Sequence, residues 1–322
     1  MSAALMRAVY YERHGAAEVL QVGTLPVPVP AEDQVLVKVA AAAINPIDRR
    51  LRAGELQEYI SRTFPVIPGW DVSGCIVEVG NKVRNWKVGD DVIGLAFTWS
   101  IQHGTYAEYV PISTASIAAK PSNISFDKAA ALPLVSLTAW QSLSEFGQLG
   151  PGKTVLIQAG AGGLGSVAIP MARHLGATVY TTASSGKATY CKALGANYVI
   201  DYRATDYESV IREMEPCGVD MVLESLLGGG TAEKAIRIVK DGGAVAYMNN
   251  EPPDMPEIAT RGIRAEFIHH RPDGTMLAEL AALFGNGTLP VPHVELLPLS
   301  SAVEAHRRSE SGRTKGKLVL QI

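Results

Sequence analysis

A chain of 322 residues, 47% of them hydrophobic, holds enough apolar material for more than one buried core and exceeds the usual size of a single compact unit. Its 29 Lys and Arg nearly balance its 32 Asp and Glu, so there is no global basic field to hold a phosphate backbone, and nucleic acid is not expected as the main partner. Cys75, Cys191 and Cys217 lie too far apart for a metal knuckle or a disulfide framework, Met1 to Tyr10 lacks an apolar secretory core, and no long apolar run follows; the expectation is a cytoplasmic protein without a membrane partner.

From Arg7 to about Ala119, short alternating apolar runs such as Val35 to Val39 and Ile76 to Val79 are broken by Gly, Pro and Asn turns, which predicts a mostly β domain. From about Phe126, apolar runs alternate with helical stretches, the rhythm of βαβ units. The candidate strands are Thr154 to Gln158, Thr178 to Thr182, Tyr198 to Ile200, Val219 to Leu223, Ala244 to Met248 and Arg264 to Ile268. This is the pattern of a doubly wound parallel sheet. After Pro272 come a helix to about Gly285, a strand Val294 to Leu297, an amphipathic segment near Ser300 to Glu310 and a closing strand Lys317 to Ile322. The expected division is 1–123, 124–268 and 269–322, the last part returning to the first domain.

Directly after the first of these strands comes Ala159-Gly160-Ala161-Gly162-Gly163-Leu164-Gly165. Glycine lets the backbone approach a diphosphate, whose charge then meets free N–H groups and the positive end of a helix. In this context Gly160, Gly162, Gly163, Leu164 and Gly165 predict a dinucleotide loop, with a ligand-free glycine turn as the plainer alternative. Pro170 removes a donor from the following helix and is expected to kink or shorten it. An NAD enzyme places an acid about 20 residues past the glycines. Phe146 to Ile200 contains no Asp or Glu, while Ser184, Ser185 and Lys187 supply hydroxyls and an ammonium. That suits the 2′-phosphate of NADPH; a helix cap and a solvated lysine are the alternative.

Asp127 to Trp140, followed by Gly150-Pro151-Gly152-Lys153-Thr154-Val155-Leu156-Ile157, resembles the signature of the zinc-independent quinone oxidoreductase branch of the medium-chain dehydrogenase/reductases. Ala42 to Asp48, Trp86 to Val92, Gly104 to Tyr109, Leu194 to Tyr202 and Ala305 to Lys317 resemble it in the same order, so the likeness covers almost the whole chain. It implies an α/β protein with a GroES-like, mostly β catalytic domain and a Rossmann cofactor domain. By the same likeness Asn45 and Thr138 lie near the nicotinamide, and Tyr202 joins the serine and Lys187 at the 2′-phosphate. The Ser-to-Lys spacing is one residue shorter than the common pattern, so Ser184 and Ser185 both stay open.

Zinc-dependent relatives bear a cysteine at Asn45 and Gly-His-Glu at Gly69-Trp70-Asp71, so the resemblance implies no metal. Without a Lewis acid the substrate is expected to accept hydride unaided: a quinone first, then an enone or 2-enoyl thioester. The protein's part is to hold the nicotinamide against that acceptor in a cleft between the domains. Related enoyl reductases place a tyrosine soon after the Asn-Pro segment, where this chain has Arg49 to Leu56. Tyr59 and His103 remain as candidate proton donors, with loop packing and a turn-exposed imidazole as the plainer readings. Arg49, Arg50 and Arg52 read as a solvated face rather than an anion site, and His269 and His270 as pointing to opposite sides. A homodimer joined through Ala244 to Met248, read as a sheet edge, follows from the likeness. A third reading is an NADPH sensor or structural protein with little turnover.

Overall fold

The computed structural model describes residues 4–322, so the first three residues of the Met1 to Tyr10 segment lie outside the described residues. The chain forms two compact units, one built from residues 4–137 with Arg271–Gly287 and Val291–Ile322, the other from Thr138–His270 with Thr288–Pro290. The first contains β1 (Leu5–Tyr10), β2 (Gln21–Pro26), β3 (Gln34–Ala43), β4 (Ser61–Ile67), β5 (Asp71–Val79), β6 (Asp91–Leu95), β7 (Ser100–His103), β8 (Tyr109–Ser113) and β9 (Ile117–Ala119). Helix α1 (Pro46–Ala53) follows β3 at once. α2 (Phe126–Ala130) and the opening turn of α3 (Pro133–Trp140) complete its first part.

The second unit holds β10 (Thr154–Ile157), β11 (Thr178–Ala183), β12 (Tyr198–Asp201), β13 (Val219–Glu224), β14 (Val239–Tyr247) and β15 (Arg264–Phe267), in the order β12-β11-β10-β13-β14-β15. All neighbours are parallel. That explains the unbroken apolar run Val155-Leu156-Ile157, fully buried because both faces of a parallel sheet are covered. The order is the doubly wound one, with its switch beside β10, where the glycine loop begins. The Ala244 to Met248 segment is not an edge: β14 lies between β13 and β15, and Ala244 pairs with Arg264. The edges are β12 and β15, so β14 offers no sheet edge of the kind the expected dimer contact needs. Helix α4 (Gly165–His174) runs through Pro170 instead of ending there. Pro170 is its sixth residue, so the helix carries on with one N–H missing, the one that would pair with the Ser166 carbonyl.

The tail belongs to the first unit. β16 (Val294–Pro298) and β17 (Lys317–Gln321) extend its main sheet in the order β16-β17-β3-β5-β6-β9, with β8 also on β3. β17 pairs antiparallel with β3, Val319 opposite Ala43. The helix Ala302–Glu310 packs on α1. No helix among the described residues is long and apolar enough to cross a membrane.

Candidate active site

The first group of site residues gathers where β3 ends. Asn45 has an extended backbone, Pro46 starts α1, and Asp48 Oδ2 accepts from the Asn45 N–H at 2.8 Å, which satisfies one of the helix's free donors. Asp71 opens β5, hydrogen-bonded beside β3, and Lys317 opens β17 on the other side of β3. All three side chains are buried. Asn45 Nδ2 donates to Asp71 Oδ2 at 2.9 Å, Lys317 Nζ donates to Asn45 Oδ1, and Nζ also lies 3.3 Å from both Asp71 Oδ2 and the Ile44 carbonyl. The Leu134 N–H, in the first turn of α3, donates to Asp71 Oδ1 at 2.7 Å. Burial pushes the Asp71 carboxyl up, opposed by the Lys317 ammonium and by these donors. Gly69, at φ +94°, makes the entry turn; a Cβ there would lie 2.3 Å from the Tyr106 ring and 2.5 Å from Thr105 Oγ1.

A second polar layer backs this group. The Tyr106 hydroxyl donates to Asp48 Oδ2 at 2.8 Å. Arg52 is buried rather than solvated, which corrects one third of the expected arginine face: it bonds Glu310 at 2.6 Å, the Gly15 carbonyl at 3.1 Å and His306 Nδ1 at 3.1 Å. Burial, with Arg52 and Arg49 nearby, pushes His306 down to about 3. It is therefore neutral, and since Nδ1 accepts from a guanidinium, its proton sits on Nε2. Arg49 and Arg50 are half-buried and pair with Glu55.

The candidate proton donors stand apart from this network in chemistry. The Tyr59 side chain is 71% exposed. His103 ends β7 and is half-buried, and burial lowers its pKa. His269 is exposed and His270 half-buried, and both lie beyond the end of β15 at Phe267.

In the second unit the glycines divide by role. A Cβ on Gly160 would lie 2.0 Å from Thr181 Oγ1, and one on Gly165 would lie 2.5 Å from Gly160 Cα and 2.6 Å from the Ala159 carbonyl. Those two glycines let α4 pack onto the strand end. A Cβ on Gly162 would meet only the Ala159 carbonyl, at 3.2 Å. Its open side fits the approach of a diphosphate to the backbone. The loop is tied to β11 by Ala159 N–H to Thr182 Oγ1 and Gly160 N–H to the Thr182 carbonyl, both 3.0 Å. Gly163 and Leu164 complete the turn into α4. Thr138 is buried, and its Oγ1 has no hydrogen-bond partner among the described residues, although its carbonyl accepts from Ser142. An unspent buried hydroxyl fits a polar ligand group.

Ser184 and Ser185 follow β11 directly, with Lys187 in the same short turn. β12 ends beside them, Ala183 opposite Asp201. Asp201 is the acid that falls one residue beyond the acid-free span. Its oxygens accept from the Ser185 N–H and the Arg203 N–H, each at 3.0 Å. Tyr202 is exposed, and the Arg203 guanidinium lies over its ring at 5.8 Å. Arg203 is a second cation here that the spacing argument missed.

Fold and site together define a pyridine-nucleotide-dependent oxidoreductase. The family model of the alcohol dehydrogenase GroES-like domain matches residues 31–122, and that of a zinc-binding dehydrogenase matches 194–320. The chain is 36% identical to the tomato (Solanum lycopersicum) 2-methylene-furan-3-one reductase, over 98% of this chain and 79% of that one. It is 34% identical to the chloroplastic NADPH-dependent alkenal/one oxidoreductase of Arabidopsis thaliana, with the same coverage. Among solved structures, the quinone oxidoreductase of Coxiella burnetii superposes with a TM-score of 0.88 at 34% identity, over 99% of this chain and 100% of that one. The Escherichia coli quinone oxidoreductase complexed with NADPH gives 0.88 at 27%, with the same coverage. The chain belongs to the zinc-independent quinone oxidoreductase branch of the medium-chain dehydrogenase/reductases. Although one matching model carries zinc in its description, no group of three or more His, Cys, Asp or Glu is placed to hold a metal among the described residues.

Proposed function

We propose that the protein reduces the conjugated double bond of an α,β-unsaturated carbonyl compound with NADPH, with quinones as the second class of acceptor. The observation that carries this reading is the filled position at the start of α1. Where zinc-dependent relatives hold a thiolate, Asn45 is already bonded to a lysine and an aspartate. Such a site offers hydrogen bonds but no Lewis acid, so it suits an acceptor whose conjugation spreads the developing negative charge. The reductases of a methylene-furanone and of alkenals among the relatives support the enone; the Coxiella quinone oxidoreductase supports the quinone.

NADPH, when bound, supplies a hydride from its nicotinamide. Gly162 and the loop into α4 receive the diphosphate. Ser184, Ser185, Lys187 and Tyr202 receive the 2′-phosphate with help from Arg203, while Asp201 spends its charge on two backbone donors. Asn45 and Thr138 hold the nicotinamide end. Burial keeps His103 in the neutral form, without an imidazolium proton to give, and Tyr59 faces solvent, so the proton for the enolate carbon comes from water.

The test is NADPH oxidation in the presence of a chelator with one enone, one 2-enoyl thioester and one quinone. Turnover is expected with the enone foremost, NADPH binding more tightly than NADH, and Lys187→Glu narrowing that preference by about tenfold. No turnover with any acceptor, despite tight NADPH binding, would make the protein a sensor; equal binding of NADH would remove the cofactor assignment.

A further inference from the structure

We propose that Lys317 is a positioning residue for the reduction step, locking the side-chain amide of Asn45 in one orientation and strengthening the N–H it has left to offer. The inference rests on the proposed placement of Asn45 at the nicotinamide end.

An ammonium has three donors and no acceptor. Lys317 finds three acceptors, the Ile44 carbonyl, Asn45 Oδ1 and Asp71 Oδ2, at a site where it is 3% exposed. Asp71 is equally occupied, taking Leu134 N–H on one oxygen and both Asn45 Nδ2 and Lys317 on the other. The amide of Asn45 is thus held between opposite charges. Flipping it would set its NH2 against the ammonium and its oxygen against the carboxylate, turning two charge-assisted bonds into two repulsions. The orientation is therefore electrostatic, not a matter of packing alone. Asn45 Nδ2 has two hydrogens, and Asp71 uses one. The second has no partner among the described residues, and withdrawal of charge from Oδ1 by the ammonium makes it a stronger donor. A carbonyl oxygen is its complement.

The direct variant, Lys317→Met, leaves Asp71 buried without its cation, so the test pairs it with Asp71→Asn, which removes both charges at once. The paired variant is expected to bind NADPH within about threefold of wild type and to keep a similar KM for an enone, while kcat falls about tenfold or more. Asn45→Ala is expected to lose a similar factor, and the triple variant no more than either. A folded paired variant with wild-type kcat overturns the proposal. A second readout needs no turnover. In protein labelled with 15N-asparagine, the Nδ2 proton pair missing from Asn45→Ala is expected as two distinct, slowly exchanging resonances in wild type and fast-exchanging ones in the paired variant. Protons that exchange in wild type as fast as those of exposed asparagines overturn it too. Absence of wild-type turnover with slow exchange intact would instead count against the reductase reading.

Discussion

Asp48 shows how one buried carboxyl records the electrostatics of the catalytic unit. It accepts from the Asn45 N–H and the Tyr106 hydroxyl on the same oxygen, and its other oxygen is buried without a partner. Burial pushes its pKa from 3.8 up to about 7, against the pull of those two donors. An acid with a raised folded pKa holds more protons folded than unfolded. Its contribution to stability is therefore complete below 3.8 and is lost as the pH rises through about 7. Asp48→Asn cannot ionise and keeps an oxygen for both donors. Its Tm relative to wild type should climb between about pH 4 and pH 8; thermal unfolding across that range checks it, and parallel profiles would contradict it. Asp48 was visible in the sequence only as part of the Asn-Pro segment. That its neighbour Arg52 would be buried was not, because three arginines on a short helix read as a wet face until the partners Glu310 and His306 are placed against them.

At the scale of the element, the turn from β10 into α4 was the most legible feature of the chain. Strand, glycines and helix follow each other within one local window, and each needs only its own neighbours to form. The sequence does not say which glycine serves the ligand and which the packing. The structure separates them: Gly165→Ala would drive a Cβ against the backbone of Gly160 and Ala159, whereas Gly162→Ala meets one carbonyl at 3.2 Å. Gly165→Ala should lower Tm by roughly 3 to 10 °C. Gly162→Ala should unfold close to wild type but bind NADPH about tenfold more weakly. Calorimetry and thermal unfolding on the two variants check the contrast, and a shared loss of stability would contradict it. The turn after β11 shows the limit of counting residues for an acid. Asp201 lies outside the scanned span, yet parallel pairing of β11 with β12 sets it opposite Ala183.

Across the whole molecule, what stayed hidden is what distant segments bring together. Six parallel strands follow from periodicity, because each depends on its own residues. The pairing of β17 with β3 does not, and it alone carries Lys317 to Asn45 across 272 positions. The expected edge at β14 failed for a related reason: strand order is decided between segments, and β15 adds beyond it. The molecule is a pyridine-nucleotide oxidoreductase with a buried amide, that of Asn45, hydrogen-bonded to Lys317 and Asp71 at the start of α1. The reaction proposed for it is conjugate hydride transfer from NADPH. The measurement that tests it most directly is reduction of an enone with NADPH deuterated in turn at each face of nicotinamide C4, with the product read by mass spectrometry and NMR. One of the two cofactors is predicted to leave a single deuterium on the β-carbon; deuterium on the carbonyl carbon, or none in the product from either cofactor, would contradict the account.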